Sequence, residues 1–67
     1  MPGDLLVMRK GVAWGFSVFN YGKDLVMARL SAESLAVFSM KGAVIKRDGK
    51  TVEVYEYVPG VGARKVA

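Results

Sequence analysis

Three glycine-bearing turn sequences, Arg9-Lys10-Gly11, Asn20-Tyr21-Gly22 and Asp48-Gly49, divide this chain into short apolar runs. The first two place Gly third in a three-residue loop, where a type I turn followed by a left-handed residue makes a bulged hairpin. The third is a strong two-residue hairpin signal, because both central positions of a type I′ turn need positive φ. A hairpin at Asn20–Gly22 pairs Val18 with Asp24, Phe16 with Val26, Trp14 with Ala28 and Val12 with Leu30. That register sets large side chains against small or branched ones on one face, and Leu6 and Met8 join the same face. The Asp48-Gly49 turn pairs Ile45 with Val52 and Ala43 with Val54.

Between the hairpins, Ser31 to Gly42 carries helix punctuation: Ser31 as N-cap, Glu33 in the first turn, Lys41 in the last and Gly42 at the left-handed C′ position. The expected element order is therefore β-β-β-α-β-β, an α+β fold that is mostly β. One β-rich domain over residues 1–58 is expected, with residues 59–67 as a basic Gly/Pro-containing tail or a last strand. Two architectures suit this order: a small OB-like barrel, or a two-layer sheet-plus-helix sandwich.

The chain has 67 residues, no Cys and no His. A domain this small buries only about 60% of the surface its unfolded chain exposes, so it needs support from packing or from a partner. Disulfides are excluded, as are zinc, haem and iron–sulfur sites of the common kinds, so no metal and no cofactor are expected. With Gly counted and Tyr left out, about 60% of the chain is apolar, against a usual ~45–50%. In the expected register, one face of the first three strands is Leu6, Met8, Val12, Trp14, Phe16, Val18, Val26, Ala28 and Leu30. The other face is also largely apolar, and Leu5, Val7, Phe19, Leu25 and Met27 on it are expected to form a homo-oligomer interface, whereas a half-solvated sheet would alternate. No apolar stretch reaches the roughly 20 residues of a spanning helix, and the basic-then-apolar order of a signal peptide is missing, so no membrane and a cytoplasmic location are expected. The absence of Gln, with single Asn and Thr residues, resembles the composition of thermophile proteins.

Catalysis is not expected. General acid–base chemistry near neutrality uses His or a pair of carboxylates with separated pKa values, and no such set stands out here. Pro59-Gly60-Val61-Gly62-Ala63-Arg64-Lys65 looks like a phosphate loop only superficially, since it lacks GxxxxGK[ST] and a following helix. No small-molecule substrate is evident. The formal charge of +4 concentrates in two turns and the tail. Arg9 and Lys10 occupy the first turn; Lys46, Arg47 and Lys50 surround the last; Arg64 and Lys65 lie near the end. In an OB-fold those two turns border the nucleic-acid groove. Tyr55 and Tyr57, alternating with the hairpin cations, are expected to stack on bases while the cations hold phosphates. The function expected is thus non-enzymatic DNA or RNA binding through phosphate contacts. The alternative is a homo-oligomeric structural or protein-interaction module without nucleic-acid binding.

Overall fold

Residues 25–36 are mostly strong helix formers, with Leu, Met, Ala, Arg and Glu predominating. The computed structural model, which describes residues 2–11 and 18–67, makes this run the first part of one long helix. The elements are β1 (Leu5–Arg9), β2 (Phe19–Asn20), α1 (Leu25–Ser39), β3 (Ala43–Arg47), β4 (Lys50–Val58) and β5 (Gly62–Lys65). All strand pairs are antiparallel, in a single open sheet of order β2-β1-β3-β4-β5. The fold is α+β and mostly β.

The order among the described residues is β-β-α-β-β-β, which corrects the expected β-β-β-α-β-β. The segment expected as a third strand, Asp24–Leu30, is the start of α1. Asp24 is its N-cap, its side chain accepting a hydrogen bond from the Met27 amide at 3.0 Å. Met27 and Ala28 are thereby committed to helical geometry, and the cap is worth about 1 kcal/mol. Asn20–Gly22 is consequently a strand-to-helix connection rather than a hairpin, with Asn20 Oδ1 accepting from the Gly22 amide at 2.8 Å. The expected strand residues 12–17, Trp14 among them, lie outside the described residues. The helix ends on Met40 in the left-handed region (φ 56°), not at Gly42.

α1 lies on one face of the sheet through Ala28, Ala32 and Ala36, all fully buried. Four-residue spacing puts these methyls in one row, and their small size lets the helix backbone approach the strands closely. Beneath them are Leu5, Val7, Ala43, Ile45 and Tyr55, with Tyr21, Leu25, Leu35 and Ala63 around the rim. The expected sidedness of β1 is thus inverted: Leu5 and Val7, not Leu6 and Met8, face the helix. Leu5-Leu6-Val7-Met8 is apolar at both parities, so the placement of α1 decides which pair it covers.

The Asp48-Gly49 turn has positive φ at both positions, 52° and 76°, as a type I′ turn requires. Arg47 pairs with Lys50 and Lys46 with Thr51, but a bulge then makes Ile45 oppose Glu53 and Ala43 oppose Tyr55. The expected partners, Val52 and Val54, are displaced by one. A one-residue shift exchanges the two faces of a strand. Glu53 and Tyr55 therefore turn under α1 instead of outward. Beyond Pro59 the chain forms β5, and Val66 extends the pairing by donating to the Val54 carbonyl at 2.9 Å.

Candidate functional site

The outer side of α1 follows from the same periodicity that buries its alanines. Val26, Leu30, Ser34 and Phe38 are each four residues apart, so they form a ridge on the side away from the sheet. Met27 and Val37 flank it. Val26 is 68% exposed, Leu30 53% and Phe38 87%. A surface helix normally carries charged and polar groups here, and a helix apolar all round is normally buried. On this helix Ser34 is the only polar residue of the ridge, while Arg29 and Glu33 lie to one side.

Two shallow grooves border Phe38. One, about 470 Å³, is lined by Phe19, Ser31, Ser34, Leu35 and Phe38. The other, about 610 Å³, is lined by Glu33, Ser34, Val37, Phe38, Val61, Gly62 and Ala63. Apolar surface thus continues from β2 across the helix to the turn before β5. Of the residues expected to form an oligomer interface, Phe19 and Met27 lie exposed on this side of the molecule. Leu25 is half-buried against the core, and Leu5 and Val7 are fully buried beneath α1, which removes them from any surface.

A second constellation ties helix to sheet. Arg29 donates from Nε to both carboxylate oxygens of Glu53 at 3.0 and 3.1 Å, and from Nη2 to Oε2 at 2.6 Å. The Tyr55 hydroxyl donates to Glu53 Oε1 at 2.9 Å. Glu53 is only 6% exposed. The Arg29 hydrogen bonds hold its carboxyl below the ordinary range against the opposing effect of burial, and the Tyr55 bond adds to them. Burial, then the bond to the Glu53 carboxylate, pushes the Tyr55 phenol up to about 12. Both carboxylate oxygens are engaged and the phenol is held protonated, so the trio serves as an internal tie. Among the described residues, no group of three acidic, His or Cys side chains is placed to hold a metal.

The expected nucleic-acid residues are distributed around the perimeter. Arg9 pairs with Ala43 and Leu5 with Arg47, so the Arg9–Lys10 turn and the Arg47–Lys50 turn lie at opposite ends of the sheet. Four strand steps separate them, about 13 Å. Lys10, Arg47, Lys50, Arg64 and Lys65 are exposed, while Arg9 and Lys46 are half-buried. Arg64, on the edge strand β5, pairs with Glu56 of β4 at 3.4 Å. Tyr55, at 3% exposure, belongs to the core and is unable to stack on a base, which corrects its expected role. Tyr57 is half-buried and follows Tyr55 on the helix-covered side by strand alternation.

The ridge on α1 was not anticipated from the sequence, although its four-residue spacing is present there beside that of the alanines. No family model matches the chain, and no curated protein or solved structure matches it either. No helix among the described residues is long and apolar enough to cross a membrane.

Proposed function

We propose that this chain is a small, non-enzymatic protein-interaction module that docks through the outer face of α1. The observation carrying this is the Val26–Leu30–Ser34–Phe38 ridge, exposed on a helix whose opposite face is already spent on the sheet. Burying apolar surface stabilises by roughly 25 cal/mol per Å², so covering such a face favours association strongly. A photo-crosslinking side chain tests the reading. Phe38→benzoylphenylalanine, irradiated in concentrated pure protein and in an extract of the source cells, should give protein adducts. Thr51→benzoylphenylalanine, on the exposed part of β4, should give none. Equal yields at the two positions, or none at either, would overturn the docking role.

Nucleic-acid binding is a second reading, supported by the exposure of five of the expected cations (Lys10, Arg47, Lys50, Arg64 and Lys65) and a formal charge of +4. It does not gain from an OB-like groove, because the two basic turns lie at opposite ends of the sheet and Tyr55 is buried. What it retains is backbone contact by Arg47, Lys50, Arg64 and Lys65 along the hairpin tip and the β5 edge. Such binding weakens steeply between about 50 and 200 mM salt, and each lost phosphate contact lowers the slope by roughly one. A titration with single- and double-stranded DNA and RNA that shows no complex at the lower salt rejects it. The alternative role of these cations is to keep the open edge of β5 from pairing with other strands.

A further inference from the structure

The occupant of the α1 face follows from its shape and its charges, given the docking role proposed above. We propose that it is a second copy of this chain, with the two α1 helices crossing antiparallel about a two-fold axis at Ser34.

Three features of the ridge lead there. First, Val26, Leu30, Ser34 and Phe38 form one continuous i±4 row, and two such rows interdigitate in the commonest class of helix crossing. Ser34 is the small residue within that row. It is where two backbones can approach, and it has bulky neighbours on both sides. Second, an antiparallel crossing at Ser34 sets Leu30 of each copy beside Phe38 of the other, at the groove lined by Phe19, Leu35 and Phe38. A parallel crossing would instead set Phe38 against Phe38. Third, the charges at the helix ends favour the antiparallel sense. Lys23 and Asp24 stand at the N-terminal end and Lys41 just beyond the C-terminal end. Antiparallel pairing brings each Lys41 toward the other copy's Lys23–Asp24 end, where the two charges offset one another. Parallel pairing brings Lys41 to Lys41 and Lys23 to Lys23, on chains that already carry +4.

The area a dimer needs is a modest share of this surface. A specific dimer buries about 600–1,000 Å² per partner, roughly a quarter or less of the 4308 Å² surface of this chain. α1 is about 22 Å long, and Phe19 and Val61 widen its apolar side through the two grooves that border Phe38. The interface is isologous, so it closes on itself and leaves no apolar ridge to recruit a third copy.

The chain contains no Cys, which makes disulfide mapping unambiguous. Packed helices lie about 8–10 Å apart with Cα atoms about 2.3 Å off each axis, so residues facing each other at a crossing fall within disulfide reach. Under mild oxidation, Ser34→Cys should convert almost completely to a covalent dimer. Val26→Cys should link at least tenfold less, because antiparallel helices place its two copies about 24 Å apart along the axis. Sizing of the unmodified protein at micromolar concentration should report twice 7.3 kDa, and Leu30→Glu should return it to the single-chain mass. Val26→Cys linking as well as Ser34→Cys overturns the antiparallel arrangement. A single-chain mass with no Ser34→Cys linkage overturns self-pairing. In that event, adducts of Phe38→benzoylphenylalanine with another protein leave the docking role standing, and the absence of adducts removes both.

Discussion

Glu53 is the residue on which the helix–sheet contact depends electrically. Its carboxylate sits under α1 with both oxygens occupied, and an unpaired buried carboxylate costs about 3 kcal/mol. Arg29→Ala should therefore destabilise more than the double variant Arg29→Ala/Glu53→Gln, which removes the charge along with its partner. Urea midpoints of the single and double variants check this, and equal losses would mean that Glu53 finds other solvation. The pH dependence has a fixed sign. Glu53 has a folded pKa below its unfolded value, so its contribution is present above the ordinary carboxylate range near 4.5 and is lost as pH falls through the folded value. Tyr55 is shifted upward, so its contribution is complete below pH 10.0 and disappears as pH rises toward about 12. Urea midpoints across pH should show both losses. Glu53→Gln should flatten the acid limb, and Tyr55→Phe the alkaline one. None of this was legible in the sequence. Arg29 was expected on a strand, and Glu53 faces inward only because Val52 is the extra residue of a bulge that no local residue type announces.

At the scale of elements, the positions of the turn glycines were legible, but neither end of the helix was, nor the strand-to-helix role of Asn20–Gly22. Asp48-Gly49 and the glycines at positions 11 and 22 all adopt positive φ, a region that Gly enters freely and Asp more readily than most residues with a Cβ. The run Leu25–Leu30 supports either period: Val26, Ala28 and Leu30 alternate as a strand does, while Ala28, Ala32 and Ala36 recur as a helix face does. Asp24 suits both a turn and an N-cap. The longer repeat prevails because it extends through Ala36 and buries three side chains in one row. That row also sets a steric limit. Ala32 is fully buried against the sheet, so Ala32→Leu should force α1 outward and cost about 1–3 kcal/mol. A lower urea midpoint at unchanged helix content by circular dichroism is the expected outcome. An unchanged midpoint would show that α1 does not rest closely on the strands.

For the whole molecule, the apolar surplus of a 67-residue chain and its lack of covalent staples describe one condition. The surplus was expected on the second face of the first strands, with Leu5 and Val7 among its residues. Those two residues are core, and half of the exposed large apolar side chains among the described residues lie on α1. The sequence revealed that such a surface should exist but not where, because its location depends on which period residues 25–30 follow. If the ridge is covered by a second copy, folding and pairing share one free energy, and thermal stability must depend on protein concentration. A tenfold increase in concentration adds about 0.7 kcal/mol per chain to a dimer, which for a domain of this size raises Tm by roughly 3–5 °C. The unmodified protein should show that rise in calorimetry between 10-fold dilutions. Leu30→Glu, which sets a charge in the middle of the ridge without touching the core, should melt lower at the higher concentration and with no concentration dependence. A Tm of the unmodified chain that stays constant under dilution would mean that 67 residues and an alanine-lined helix hold this fold alone, and that the exposed ridge of α1 contributes nothing to its stability.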